Sequence, residues 1–144
     1  MTVINRSALV SYTSSEMYNL VNDIESYPDF LPWCKESYIH SRTEHEVHAS
    51  LVLARGSLQR SFSTVNRLQK DKMIQLHLVD GPFKRLEGCW RFEPNEIGCR
   101  ISLDMEFEFS NKLIGLAFGP LFTQVTDSLV DAFCQHAQSL YGKR

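Results

Sequence analysis

KLIGLAFGPLFTQVTDSLVDAFCQHAQSLY, running from Lys112 to Tyr141, dictates what the remaining chain has to build. Wound at 100° per residue, it sets Phe118, Phe122, Val125, Leu129, Phe133, His136 and Leu140 along one side. Gln124, Asp127, Ser128, Asp131, Gln135 and Gln138 fall along the other. Leu121, Val130, Ala132, Cys134, Ala137 and Tyr141 widen the apolar arc to about half the circumference, whereas a single helix–sheet seam uses about 100°. A helix this broadly apolar has to be wrapped. Pro120 cannot donate to the carbonyl of residue 116, and Gly115 and Gly119 precede it. The spacing therefore predicts a short first piece, a kink, and then about twenty residues, roughly 30 Å of straight helix.

The wrapping comes from the strands before it. Thr2 to Tyr12 read as a first strand, with Ile4, Ala8 and Val10 on one face. Thr13-Ser14-Ser15-Glu16 is a capping box, followed by Met17, Leu20, Val21 and Ile24 at helical spacing. That helix ends before Tyr27-Pro28. In Tyr27-Pro28-Asp29-Phe30-Leu31-Pro32-Trp33-Cys34 two prolines forbid a long helix, so the aromatics form either a plug at one end of the core or the lid of a cavity. From Lys35 the period is two. Val47, Ala49, Leu51 and Leu53 share a face, then Leu58, Phe62, Thr64 and Leu68, then Ile74, Leu76 and Leu78. Leu86, Gly88, Trp90 and Phe92 follow, and then Cys99, Ile101, Leu103, Met105, Phe107 and Phe109, with Arg100, Asp104, Glu106 and Glu108 outward. The turns Arg55-Gly56, Asp80-Gly81-Pro82 and Pro94 to Gly98 join them. The expectation is an α+β fold in one domain, residues 1–144. A curved antiparallel sheet of six or seven strands, with one wet face, closes around the C-terminal helix, and two short helices follow the first strand.

With 144 residues the chain can bury a substantial core. No apolar run approaches about 18 residues, which argues against a membrane span, and the N-terminus does not read as a targeting peptide. The four cysteines lack CxxC spacing, so no metal site is expected and the thiols read as small buried hydrophobes. Cys89 has outward parity and Cys99 inward parity, which predicts that they do not bond. Net charge is −2, but residues 55–91 carry eight bases and three acids, a net +5. Arg85 and Arg91 share the outward face of one strand, and Arg67, Lys70 and Lys72 cluster at the turn before it, with Lys84 adjacent. Such a segment is either a set of solvated strand faces or a contact for an anionic partner, RNA or lipid headgroups.

No catalytic set emerges. Nucleophile-elbow, phosphate-loop, dinucleotide and zinc-protease patterns are absent. His45 and His48 fall on opposite strand faces, and Glu106 and Glu108 share the wet one, unlike the desolvated carboxylates of acid–base chemistry. His136 reads as a core histidine. Binding is the better reading. Phe62, Trp90, Phe92, Phe107, Phe109, Phe118, Phe122 and Phe133 point between sheet and helix, with Ala49, Gly88, Gly115 and Gly119 among them. Bulky walls beside small residues suit an apolar cavity, and they equally suit a solid core.

Tyr27 to Cys34, together with Gly81-Pro82-Phe83-Lys84-Arg85-Leu86 and Gly88, Trp90 and Phe92, resembles the coenzyme Q-binding protein family over essentially the whole chain. That family is a branch of the START-like (helix-grip) superfamily, also labelled polyketide cyclase/dehydrase-like, and the resemblance is greatest to its bacterial ribosome-association toxin branch. It implies a tunnel between sheet and C-terminal helix for a hydrophobic ligand such as ubiquinone or a similar lipid, with no cofactor required. Candidate lining residues are Phe30, Leu31, Trp33, Phe62, Leu76, Leu86, Gly88, Trp90, Met105, Phe107, Phe118, Phe122, Leu129 and Phe133. The toxin branch further implies binding to the large ribosomal subunit that hinders subunit joining, with a cognate antitoxin as a further partner and no DNA. Arg67, Lys70, Lys72, Lys84, Arg85 and Arg91 are the candidate contacts. The family's mitochondrial members carry a presequence. This chain opens on its first strand, so the expected location is the bacterial cytoplasm, including the membrane periphery. The cyclase label implies an alternative, an enzyme acting on an aromatic substrate in the same cavity.

Overall fold

A computed structural model describes residues Met1–Arg144. The strands are β1 (Thr2–Val10), β2 (Cys34–Arg42), β3 (Glu46–Arg55), β4 (Leu58–Gln69), β5 (Met73–Asp80), β6 (Phe83–Pro94) and β7 (Cys99–Phe109). Helices α1 (Ser14–Asn22) and α2 (Tyr27–Phe30), separated by a 3₁₀ turn at Ile24–Ser26, follow β1, and α3 (Lys112–Tyr141) closes the chain. One antiparallel sheet runs β1-β7-β6-β5-β4-β3-β2. Strands β2 to β7 form a hairpin meander, and β1 joins its far edge by pairing with β7, Ile4 opposite Met105 and Ala8 opposite Ile101. The expected helix-grip architecture is what the chain forms.

Side-chain alternation carries through. Ile101, Leu103, Met105 and Phe107 are buried, as are Leu86, Trp90 and Phe92, while Glu93 and Arg100 are exposed. Thr13 caps α1 as expected, its hydroxyl accepting from the Glu16 N–H at 3.1 Å while the Glu16 carboxylate accepts from the Thr13 N–H at 3.0 Å. Cys99 is buried on the inner face. Cys89 lies half-buried on the outer face, opposite Asp104, so the two do not face each other. Burial pushes the Cys34 and Cys99 thiols up to about 11.

The C-terminal helix departs from expectation in two respects. It is one continuous helix rather than two pieces, capped by Asn111, whose side-chain oxygen accepts from the Ile114 N–H at 2.9 Å. Pro120 sits inside it on the exposed side, as does Leu116, so the carbonyl freed by proline is solvated and the helix carries through. The buried strip is also displaced. Phe118, Leu121, Phe122, Val125, Thr126, Val130, Phe133 and Ala137 are buried, whereas Leu140 is 58% exposed and His136 half-buried. Packing of α1 against α3 accompanies that displacement. By length and composition α3 would also pass for a membrane-crossing segment, contrary to the reading of apolar runs, but its apolar side is occupied by the sheet. Gly115 and Gly119 provide room for the Phe109 ring, 3.5 Å from where either Cβ would stand.

Candidate ligand cavity and basic corner

The core is solid at one end, hollow beside it, and packed again where Tyr18, Tyr27, Trp90, Phe92 and Phe133 meet. At the solid end Phe83, Phe107, Phe109, Phe118 and Phe122 interlock, with Phe83–Phe122 centroids 4.7 Å apart and Phe107–Phe122 centroids 4.8 Å apart. Beside Phe122, between the sheet and α3, lies a cavity with about 80 Å³ of room for the centres of water-sized molecules. Its walls come from every layer. Val21, Ile24, Tyr27 and Trp33 close one side, and Ala49, Leu51, Leu53, Phe62, Thr64, Asn66, Ile74, Leu76, Leu86, Trp90 and Met105 rise from the sheet. Phe122, Val125, Thr126, Leu129 and Phe133 descend from α3.

Of the expected lining residues, Trp33, Phe62, Leu76, Leu86, Trp90, Met105, Phe122, Leu129 and Phe133 are brought together here. Phe30, Leu31, Gly88, Phe107 and Phe118 are not. Phe107 and Phe118 belong to the solid aromatic end. Leu31 is buried inside the lid segment. Phe30 stacks flat on His136, with centroids 3.7 Å apart, at the edge of an outer groove. Gly88 stands between Leu76 and Met105 in one cross-strand row, and their terminal carbons approach to 3.2 Å of its missing Cβ. Those two side chains cover it from the cavity. The Tyr27–Trp33 segment thus acts as both plug and lid: Tyr27 and Trp33 border the space, and Trp33 separates it from the outer groove.

The lining contains no Lys, Arg, His, Asp, Glu or Cys. The Tyr27 hydroxyl donates to the Val21 carbonyl, and burial pushes its pKa far above the ordinary phenol value, so it stays neutral. His136 lies outside the cavity. Burial lowers its pKa, against the opposing charges of Asp23 and Asp29. The wall can hold a neutral apolar body but offers no group to move a proton at neutral pH. The polar exceptions are Thr64, Asn66 and Thr126. Sequence reading passed over Asn66, although its inward parity between Thr64 and Leu68 is the signal that marks it.

On the wet face the basic residues split into two groups. Lys84 pairs with Glu108 at 3.8 Å, Arg85 with Glu87 and Glu106 at 3.4 Å each, and Arg91 with Asp104 at 2.7 Å. The outward acids of β7 therefore neutralise the outward bases of β6 across the strand pair. Arg67, Lys70 and Lys72, exposed at the β4–β5 turn, enter no ion pair. The turn itself holds Asp71 at φ 64°. These three cations thus stand outside the ion-paired ladder at one corner of the sheet, with Glu46 across from Arg67 and Asp71 in the turn between Lys70 and Lys72.

Comparison with known proteins agrees with this architecture. The profile of the family described as "Polyketide cyclase / dehydrase and lipid transport" matches residues 10–134. The chain is 44% identical over 142 residues to the ribosome association toxin RatA of Pseudomonas aeruginosa, covering 98% of this chain and 99% of that one. It is 26% identical to the mitochondrial coenzyme Q-binding protein COQ10 of Drosophila melanogaster, over 95% of this chain and 59% of that one. Among solved structures, a START superfamily protein from Mycobacterium smegmatis superposes with a TM-score of 0.79 at 18% identity, covering 96% of this chain and 98% of that one, a likeness of fold alone. A wrapped helix over an apolar cavity, in a chain alike from end to end, makes this protein a member of the polyketide cyclase/dehydrase and lipid transport family, among the relatives of RatA.

Proposed function

We propose that this protein associates with the large ribosomal subunit and hinders subunit joining, inhibiting translation. The observation that carries the reading is its end-to-end similarity to a ribosome association toxin. The corner formed by Arg67, Lys70 and Lys72 supplies the contact, because cations without carboxylate partners are the ones free to meet phosphate. A protein antitoxin is the partner this role calls for. The test is co-sedimentation with purified large subunits at stepped salt. Reversing the corner with Arg67→Glu, Lys70→Glu and Lys72→Glu should abolish association at moderate salt, and each lost phosphate contact should remove about 0.7–0.9 from the log–log salt slope. Arg91→Gln, on the paired ladder, should behave like the parent. Unchanged co-sedimentation of the triple variant would move the contact elsewhere.

A second reading accompanies the first without competing for residues. We propose that the cavity holds a hydrophobic ligand of the quinone class, with no cofactor required, and that catalysis of the cyclase type is not its role. The apolar wall, lacking any acid or base, supports it, as does similarity to a coenzyme Q-binding protein. The space as it stands is smaller than the roughly 150 Å³ of an apolar cavity that takes up benzene. A quinone ring therefore enters only as Trp33, Leu129 or Met105 moves aside.

A further inference from the structure

The cavity wall is uneven in its chemistry, and it carries a single amide, that of Asn66. Asn66 is 6% exposed and belongs to a cross-strand row between Val47 and Leu76, both apolar. Its side-chain oxygen accepts from the Thr64 hydroxyl at 2.7 Å, and its amide nitrogen has no acceptor in the protein. The hydroxyl groups of the lining are committed: Thr64 donates to Asn66, Thr126 donates back to the Thr123 carbonyl at 3.1 Å, and Tyr27 donates to the Val21 carbonyl. A donor at the wall of an otherwise apolar cavity, with no acceptor in the protein, is satisfied by ordered water or by a ligand. The indole N–H groups of the lining residues Trp33 and Trp90 are neutral donors of the same kind.

We infer that Asn66 is the polar anchor of the cavity, donating its amide hydrogens to a neutral carbonyl or ether oxygen on an otherwise apolar ligand. The inference rests on the cavity-binding reading above and adds to it a selectivity. No cation lines the wall, so a carboxylate or phosphate would enter with its charge desolvated and uncompensated. An uncharged ring bearing oxygen acceptors meets a donor on arrival, and a plain hydrocarbon leaves that donor unpaired. The cavity therefore selects oxygenated neutral rings over fatty acids and over hydrocarbons.

The experiment uses three probes of matched tail: decylubiquinone, decylbenzene and decanoate. The ring of decylubiquinone is fully substituted, so it does not alkylate the four free thiols. Calorimetric titration of the parent should give the order decylubiquinone, decylbenzene, decanoate. In Asn66→Leu the quinone should bind roughly tenfold more weakly, the loss of one hydrogen bond, while decylbenzene binds at least as tightly. Infrared spectra of the bound quinone need no variant, and should show its carbonyl stretch lowered from the value in hydrocarbon solvent. An unshifted stretch, equal quinone affinity in parent and Asn66→Leu, or decanoate binding as tightly as quinone would each overturn the anchor. Binding of decylbenzene without quinone would defeat the anchor and leave the cavity standing. Binding of neither would defeat both.

Discussion

Replacing Gly88 with alanine tests whether the hollow in the core is real. The backbone there is not in the left-handed region, so a side chain introduces no φ strain. The new methyl would stand 3.2 Å from Leu76 Cδ1 and 3.2 Å from Met105 Cε, which have to retreat by about 0.3–0.8 Å to reach optimal contact. Both are flexible chain ends, and both border the cavity, so the space they need is adjacent. Against that small displacement stand about 0.8 kcal/mol for burying one methyl group and about 0.4–1 kcal/mol from restricting the unfolded chain. The expected outcome is a net gain of about 0.5–1.5 kcal/mol. Urea denaturation should show it as a higher midpoint at unchanged slope. The filled space should at the same time weaken thermal protection by decylubiquinone. Gly81→Ala is the control: at φ 151°, with its Cβ 2.6 Å from Phe62 Cβ, it should lose about 2 kcal/mol or more. A loss above about 1 kcal/mol in Gly88→Ala would mean that Leu76 and Met105 cannot move, and that the core is solid.

Phe107→Ala, at the solid end, should cost about 3–5 kcal/mol by chemical denaturation, and Leu76→Ala less than half as much, because a cavity wall already lacks contacts on one side. Glu16 governs part of the acid limb. Hydrogen bonds from Arg144, at 2.6 and 2.8 Å, and from the Thr13 backbone hold its carboxyl below the ordinary value. A depressed folded-state pKa adds stability above the unfolded value of about 4.3 and loses it as pH falls through the folded one. Glu16→Gln should therefore be less stable than the parent at pH 6 and converge with it toward pH 2, as followed by urea midpoints across pH. Arg91→Gln, losing an exposed pair with Asp104, should change stability by at most about 1 kcal/mol while leaving ribosome co-sedimentation intact.

Much of this molecule was legible in its sequence because the determining signals are local and periodic. The alternation from Cys99 to Phe109, the capping box at Thr13 and Glu16, and the wide apolar arc of Lys112–Tyr141 each follow from side-chain direction within one element. Together they required an antiparallel sheet wrapped around the last helix. Phe62, Leu76, Leu86, Trp90 and Met105 of the lining share the inward strand parity, and Phe122, Leu129 and Phe133 the apolar side of the helix.

What tertiary structure alone decided are relations between elements distant in the chain. Parity sets Phe107 and Met105 on the same face, yet one meets a wall of phenylalanines and the other a cavity, because how the space between α3 and the sheet is filled depends on the packing of all layers at once. Parity likewise makes Gly88 inward, but only the register of β5 and β7 puts Leu76 and Met105 over it. The six bases looked alike along the chain. Cross-strand pairing of β6 with β7 neutralised Lys84, Arg85 and Arg91 and left Arg67, Lys70 and Lys72 free, since a Coulombic partner is fixed by distance in space. Asn66 is the sharpest case. Its place in the strand was readable, but its uncommitted amide was not, because a hydrogen bond left unmade is a property of everything around a group rather than of the group itself.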